Sequence, residues 1–246
     1  MSDARPEPGA REFLARHLLW PALVFGLVAL GLAWSALDLR LADTLYRLEG
    51  GHWLLRDNFW ARSVLHDGVK LVGRGVAAGL LLAALVSSLI PRWHVWRRPL
   101  WYLVVTVPGS VALVGWLKRS GWGLCPWDMV RYGGDQPVGI AYFAALPGQT
   151  DTGRCLPAGH AAGGYALLAL YFALLQIRPQ WARRGLAVGI GAGLLLGVDQ
   201  QLRGAHFLSH DLWTAAICWF TSLGFYLLFF GRQPVPGAYC PPESAK

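Results

Sequence analysis

The sequence predicts an all-α protein, a polytopic membrane bundle of six transmembrane helices with both termini in the cytoplasm. Three observations support this fold class. The chain of 246 residues is 54% hydrophobic and only 15% charged, whereas a soluble domain carries about 25% charged residues. It contains six apolar runs, each close to the length of about 20 residues that a helix needs to cross a bilayer. Between these runs lie two short loops that are rich in arginine and free of acidic residues.

The six runs define the predicted spans within a single domain over residues 1–246. The first run exceeds the roughly 7–15 apolar residues of a signal peptide, and no cleavage site follows it, so we expect an uncleaved first span. No repeat of fixed period divides the chain, and the Pro-rich end is expected to be a loose cytoplasmic tail. The predicted spans cover about 18–37, 71–90, 100–117, 159–177, 185–202 and 211–231.

The net charge of +8 is compatible with nucleic-acid binding, but its distribution indicates a membrane topology instead. The loops 91–99 and 177–185 each hold three arginines and no acid. Short loops with an excess of arginine stay on the cytoplasmic side. We therefore expect both loops and both termini inside, no nucleic-acid partner, and external segments at about 38–70, 118–158 and 203–210.

Polar residues collect on the predicted outer side of the membrane. Ionisable groups near membrane depth are costly, so by default they mark functional sites. A single arginine there is most simply an interfacial loop residue, but three histidines from the ends of different spans at one level indicate chemistry. The group comprises Lys118, Arg119, Asp128, Arg131, Asp135, Asp151, Arg154, His160, Arg203, His206, His210 and Asp211.

The sequence PAGH at residues 157–160 opens the fourth predicted span with small residues and a histidine. A helix start presents free backbone N–H groups and is an anion site, and Gly159 allows close backbone approach. Lys118 and Arg119 end the third span at the same level. Phosphoryl transfer through a phosphohistidine requires cations for the phosphoryl oxygens, one imidazole that attacks phosphorus, and another that protonates the leaving oxygen.

Three short motifs, in this order, resemble the signature of the type 2 phosphatidic acid phosphatase superfamily. A lysine precedes a Pro-containing loop, PAGH opens a span, and Gly204-Ala205-His206 leads into the last span. The resemblance covers residues of about 100–220. It implies a six-span enzyme without a cofactor that removes phosphate from a lipid at the outer face. It also implies a bacterial inner membrane with the site facing the periplasm, and a phosphorylated lipid and the bilayer as partners.

The resemblance assigns roles by position. His206 resembles the nucleophile, His160 resembles the general acid, and Lys118 resembles a phosphate-binding cation. The alternative, with His210 as the nucleophile, abandons the match of Gly-x-His. It also places Thr214 where the family has an aspartate.

This chain departs from the family pattern at four positions. The lysine motif ends in Arg-Pro in the family and in Cys125-Pro126 here, and the serine of Pro-Ser-Gly-His is Ala158. The arginine six residues before the nucleophile is Gln200, and the aspartate four residues after it is His210. Nearby residues that can replace the lost groups are Arg203, Asp211, Arg119 and Arg154.

Three other functions fit parts of the sequence. A membrane thiol oxidoreductase would use Cys125 and Cys155, although neither belongs to a C-x-x-C pair. A metal site would hold zinc with His206 and His210, one helical turn apart, and with His160 or Asp211 as a third ligand. A non-catalytic protein would bind a lipid phosphate without turnover. The enzyme hypothesis itself covers lipid A, a polyprenyl pyrophosphate or a glycerophospholipid phosphate as substrate, and hydrolysis or transfer as reaction.

Cys125 and Cys155 lie in the second predicted external segment, each beside a motif. Cys218 lies within the last predicted span and Cys240 in the predicted tail, so neither competes as a partner in an oxidising compartment. We expect a Cys125–Cys155 disulfide, with two unpaired thiols as the alternative.

The first predicted external segment mixes apolar and charged residues over 41–68. Such a mixture is typical of an amphipathic piece that lies on a membrane surface. We expect it to flank the entrance for the lipid.

Overall fold

The computed structural model describes residues 9–59, 68–119, 123–136 and 154–231, and within these ranges it consists of helices, turns and loops, without a strand. Six helices in this part of the chain are long and apolar enough to cross a membrane, which confirms the predicted all-α, six-span fold class. A shorter connector helix, Leu37–Leu48, follows the first span. The spans, numbered 1 to 6, are Ala10–Ser35, Gly68–Leu89, Pro91–Arg119, Gly159–Ile177, Pro179–Leu202 and Leu208–Phe230.

The span boundaries differ from the predicted ones mainly at the helix starts. Span 1 begins at Ala10 instead of 18, through a charged stretch in which Arg16 and Glu12 lie one turn apart and pair across 3.1 Å. Span 3 begins at Pro91 instead of 100 and span 5 at Pro179 instead of 185, so the arginine-rich segments that were predicted to be loops are mostly helical. Span 6 begins at Leu208 instead of 211. The connector helix occupies part of the segment that was expected to be amphipathic. The sidedness of the loops and termini stays a prediction.

Spans 4 and 5 pack closely because glycines let their backbones meet. A Cβ atom added at Gly164 would lie under 3.0 Å from the backbone of Ala192, and one at Gly189 would lie under 3.0 Å from the backbone of Leu168. Spans 3 and 6 pack against span 4, and span 2 packs against span 3. Spans 1 and 2 bury little of their own surface, so the core lies among spans 3 to 6.

A buried histidine and four aromatic rings join span 1 to spans 4 and 6, toward the end where span 4 finishes. His17 Nδ1 donates to the Phe13 carbonyl at 2.9 Å, and its Nε2 accepts from the Tyr171 hydroxyl at 2.8 Å. The centroids of Phe172 and Trp219 lie 5.7 Å and 6.5 Å from that of His17. These five residues, the His17 cluster, use both ring nitrogens of the histidine to hold helices together.

Candidate active site

Two buried histidine rings face each other at the opposite end of the bundle. His206 lies in the turn between spans 5 and 6, and His210 lies in the first turn of span 6. Their Nδ1 atoms are 3.3 Å apart, and the two residues are 5% and 1% exposed. In a contact between two ring nitrogens, one must donate and the other must accept. The pair therefore holds a single proton between the two rings.

Lys118, in the last turn of span 3, lies beside the start of span 4. A Cβ atom added at Gly159 would come within 3.6 Å of Lys118 Cδ and 3.9 Å of its Nζ. The ammonium group and the first turn of span 4 are therefore neighbours, and the missing side chain of Gly159 leaves the space between them open. His160 follows as the second residue of the span and is partly buried.

The pKa of His206 lies well below the ordinary value for histidine. Burial of the ring is the largest cause, followed by the charge of Lys118 and by the His210 and His160 rings. A hydrogen bond to the Cys155 backbone acts in the opposite direction. The ring of His206 is therefore neutral near pH 7, which is the state that a nucleophilic imidazole needs. Lys118, His160 and His210 thus all lie within electrostatic range of His206.

Thr214 ties the PAGH motif to span 6. Its Oγ1 accepts a hydrogen bond from the Ala158 N–H at 2.8 Å and donates one to the His210 carbonyl at 2.7 Å. One hydroxyl thus holds the residue before span 4 against the backbone of the histidine in span 6. In the alternative alignment Thr214 takes the place of the family's aspartate, but here it bonds to backbone groups.

Asp38 caps span 6 from the connector helix. The residue before span 6 is Phe207, and no local side chain caps this helix. Instead, Asp38 Oδ1 accepts a hydrogen bond from the Ser209 N–H at 2.9 Å. Burial is the largest influence on this carboxyl and raises its pKa, whereas the hydrogen bonds from the start of span 6 lower it. Sequence analysis did not select Asp38, because capping rules examine only the residue directly before a helix.

Asp211 points toward span 5. Gln201 Nε2 donates to Asp211 Oδ2, and a Cβ atom added at Gly197 would lie under 3.0 Å from the carboxylate. One position along a helix rotates a side chain by about 100°, which separates the direction of Asp211 from that of His210. Of the two residues expected to orient His206, His210 is the one that contacts its ring.

Gln200 stands at the position of a phosphate-binding arginine of the family, and Arg203 is a nearby arginine that was expected to replace it. Arg203 is buried, and its Nη2 donates to the Arg56 carbonyl at 3.1 Å, so it anchors the segment after the connector helix. Gln200 stands at the family's arginine position and is buried, and its Nε2 donates to Asp199 at 2.6 Å. Neither hydrogen bond involves the histidine pair.

Arg119 and Arg154 adjoin the residues 120–122 and 137–153, which lie outside the described residues. Both arginines are exposed. Within the described part of the chain, Lys118 is the cation beside the histidine pair.

A loop that contains Cys125 covers His210. A Cβ atom added at Gly123 would lie 3.6 Å from His210 Nε2. The Cα atoms of Cys125 and Cys155 lie 5.3 Å apart, a distance that a disulfide spans, and the Cys155 N–H donates to the Gly123 carbonyl at 3.1 Å. The cysteine pair therefore lies directly beside the histidine pair.

The described residues contain one group of potential metal ligands whose atoms lie within 4.8 Å of one another, Cys125, Asp128 and Cys155. Two of its three members are the cysteines that are expected to form a disulfide, and a disulfide offers no thiolate to a metal. The three histidines do not form such a group in these ranges, so the geometry does not favour the zinc alternative.

Aromatic packing fixes the connector helix against the turn that carries His206. Gly204 has a φ of +69° in this turn, and a Cβ atom there would lie under 3.0 Å from the Trp53 ring. The rings of Trp53 and Tyr132 are 5.6 Å apart. Arg131 Nε donates to Asp43 on the connector helix at 2.7 Å, and this interaction is the main reason that the pKa of Asp43 is lowered.

Together, fold and site define an integral membrane protein in which a buried histidine pair, a lysine and a helix start meet at one end of a six-helix bundle. The sequence model of the PAP2 superfamily matches residues 99–234, more than half of the chain. The protein belongs to this superfamily, the type 2 phosphatidic acid phosphatases, which confirms the resemblance. Membership supports a membrane phosphatase-type function. No curated protein and no solved structure matches the chain.

Proposed function

We propose that the protein is a membrane lipid phosphatase or phosphotransferase that works through a phosphohistidine on His206. The observation that carries this proposal is the buried contact between His206 and His210, next to Lys118, in a chain of this superfamily. A neutral imidazole held by a second ring is a competent nucleophile, and the lysine supplies positive charge for the phosphoryl oxygens. The substrate is a phosphorylated or pyrophosphorylated lipid.

In the first step, His206 attacks phosphorus and forms an N–P bond while the P–O bond to the lipid breaks. His160 donates a proton to the departing oxygen. Lys118 and the N–H groups at the start of span 4 stabilise the charge on the phosphoryl oxygens. His210 holds the orientation of the His206 ring through the proton that they share.

In the second step, water attacks phosphorus, the N–P bond breaks, and phosphate leaves. His160 accepts the proton that the water loses, which reverses its earlier role. When the hydroxyl group of a second lipid replaces water, the same step becomes phosphotransfer.

Phosphate release in detergent from lipid A, a polyprenyl pyrophosphate and a phosphatidate tests this activity. We expect the wild type to act on at least one of the three, and His160→Ala to be slower by about 10²–10⁴-fold. A matched control is His94→Ala, which changes an exposed histidine at the arginine-rich start of span 3 and should keep the wild-type rate. Equal rates for the two variants would contradict the role of His160.

We propose further that the site faces the outer side of a bacterial inner membrane. The arginine-rich segments 91–99 and 177–185 form the start of span 3 and the junction of spans 4 and 5. They support this orientation because they lie at the span ends opposite to those that carry Lys118 and His160. Cysteines introduced at Arg97 and Arg183 should resist a membrane-impermeant thiol reagent in intact cells, whereas one at Gln136 should react. The reverse labelling pattern would place the site in the cytoplasm.

A non-catalytic lipid-phosphate-binding protein is the second candidate. One observation favours it: Cys125 and Gln200 stand where the family has arginines. This candidate predicts saturable binding of a lipid phosphate with no phosphate release by the wild type, so the same lipid panel separates it from the enzyme.

A further inference from the structure

An apolar groove of about 500 Å³ runs between spans 1, 3 and 6. Spans 1 and 3 both pack against span 6, and the groove lies between them over the surface of span 6. Span 1 turns small side chains toward it at Ala22, Gly26 and Ala29, whose spacing places them on one helix face. A Cβ atom added at Gly26 would meet nothing within 4 Å. The groove exists because span 1 does not fill the space beside span 6.

One end of the groove lies at the level of the candidate active site. Leu117 and Leu212 line it there, and they adjoin Lys118 and Asp211 in the chain. At its other end the groove reaches Thr221, nine residues further along span 6, or about 14 Å at 1.5 Å per residue. Half of the hydrocarbon thickness of a bilayer is about 15 Å. The groove therefore starts at the level of the histidines and is one leaflet deep.

We propose that this groove binds one hydrocarbon chain of the phosphorylated lipid substrate, an inference that rests on the proposed function. The polar end of such a lipid is anionic, and Lys118, the cation beside the histidine pair, directly follows the lining residue Leu117 in the chain. Its remaining lining is almost entirely apolar, as a hydrocarbon chain requires. A chain seated here fixes the depth and direction from which the phosphate reaches His206.

The groove should make turnover depend on the substrate's hydrocarbon chain. A water-soluble phosphate monoester has no chain and does not use the groove. A long-chain lipid phosphate does use it, and a displaced chain shifts its phosphate relative to His206. A misplacement of the order of 1 Å at a reacting group is enough to lower the rate by about a hundredfold.

Gly26→Phe, with Gly191→Phe as its matched control, tests the proposal. A Cβ atom at either glycine meets nothing within 4 Å, so both variants should fold, but Gly191 lies in span 5 outside the groove. We expect Gly26→Phe to lower kcat/KM for a long-chain lipid phosphate by about tenfold to a hundredfold and to leave the hydrolysis of p-nitrophenyl phosphate unchanged. Gly191→Phe should change neither rate. A photoactivatable long-chain phosphatidate should label span 6 less in Gly26→Phe than in Gly191→Phe.

Several results would overturn the proposal. One is a Gly26→Phe variant with an unchanged lipid rate and unchanged labelling. Another is a Gly26→Phe variant that loses as much activity on p-nitrophenyl phosphate as on the lipid phosphate. A third is an equal loss of lipid activity in Gly26→Phe and Gly191→Phe. A change of oligomeric state in Gly26→Phe with an unchanged lipid rate would make the groove a contact between copies, and would overturn it as well. A wild type that releases phosphate from no lipid would instead refute the proposed function, while labelling still reports on the groove.

Discussion

The two ends of the bundle both bury histidine, but they use it in opposite ways. In the His17 cluster both ring nitrogens have partners, a carbonyl and a hydroxyl. At the other end His206 and His210 face each other, and His210 Nε2 has no hydrogen-bond partner among the described residues. The His17 ring is a packing element because both of its nitrogens bond to groups that hold helices together. The two rings of the site bond to each other beside a lysine, and this pair keeps one nitrogen, His210 Nε2, that can take part in proton transfer. The partners of a buried histidine, more than its burial, indicate its role.

The two ends also differ in what holds them together. In the His17 cluster the histidine itself joins the helices. At the site end, side chains other than the histidines join the segments. Thr214 donates a hydrogen bond to the His210 carbonyl, and Asp38 accepts one from the Ser209 N–H. These two hydrogen bonds fix the backbone that carries the rings.

The largest effect should separate the two ends directly. His206→Ala should lower the turnover of the folded protein by a factor on the order of 10⁴ or more. His17→Phe should keep the turnover of the folded protein but lose about 1–3 kcal/mol of stability, because it leaves the Tyr171 hydroxyl without its partner. Phosphate release and thermal unfolding of both variants test the contrast. Near-normal turnover in His206→Ala, or a loss of turnover in folded His17→Phe, would contradict the contrast between a catalytic His206 and a structural His17.

The next effect concerns the acid side of the pH profile of kcat/KM, which reports the free enzyme. Neutral His206 is present above its lowered pKa, so activity should fall only as the pH drops through a value well below 6.5. Lys118→Ala removes one cause of the lowering. The pKa of His206 should therefore rise and the acid limb should move to higher pH, with an overall loss of about 10²–10³-fold. Lys118→Arg keeps the charge and should leave the limb in place, and an unmoved limb in Lys118→Ala would contradict the coupling.

A third effect concerns Cys125 and Cys155, which are expected to form a disulfide at the site end. A bridge between residues with a sequence separation of 30 should stabilise the protein by about 3–4 kcal/mol in the chain-entropy model. Reduction, or Cys155→Ser, should lower the unfolding temperature accordingly. Non-reducing peptide mapping of protein purified without reductant should recover the linked peptides. Alkylatable thiols at both Cys125 and Cys155 would exclude the bridge.

The smallest effect tests the cap on span 6. Asp38→Ala removes the acceptor for the Ser209 N–H and should cost about 1–2 kcal/mol, with a fall in kcat and little change in KM because His210 loses its support. Asp38→Asn keeps an acceptor oxygen and should stay close to the wild type in unfolding temperature and kcat. Equal damage from both substitutions would mean that the charge matters and the hydrogen bond does not.

Hydropathy predicted the six spans because membrane helices need long apolar runs, a property that depends on local sequence alone. It could not predict where span 6 begins. The cap of that helix is Asp38, 171 positions away from Ser209 in the chain, and the first residues of the span include a serine, a histidine and an acid that lower its local hydropathy. Span 1 similarly continues to Ala10 through charged residues.

The motifs predicted which side chains share the site, and helix geometry decided between the alternatives. His206, His160 and Lys118 follow from motif order alone. Whether His210 or Asp211 supports His206 depends on direction: the ring of His210 faces it, and Asp211 bonds to Gln201. Thr214 and Asp38 act through backbone groups of distant segments, and no local pattern in the sequence indicates such contacts.

The cap on span 6 has a consequence for any attempt to define a minimal catalytic unit. The family match begins at residue 99 and includes every motif residue, yet the carboxylate that caps the helix of His210 comes from residue 38. A shortened chain that began at residue 99 would keep the whole chemical apparatus and lose the acceptor for the Ser209 N–H. Removal of spans 1 and 2 therefore weakens the start of the helix that carries His210, although neither span contains a motif residue. Adding a separate fragment with the connector helix is the direct way to restore the cap.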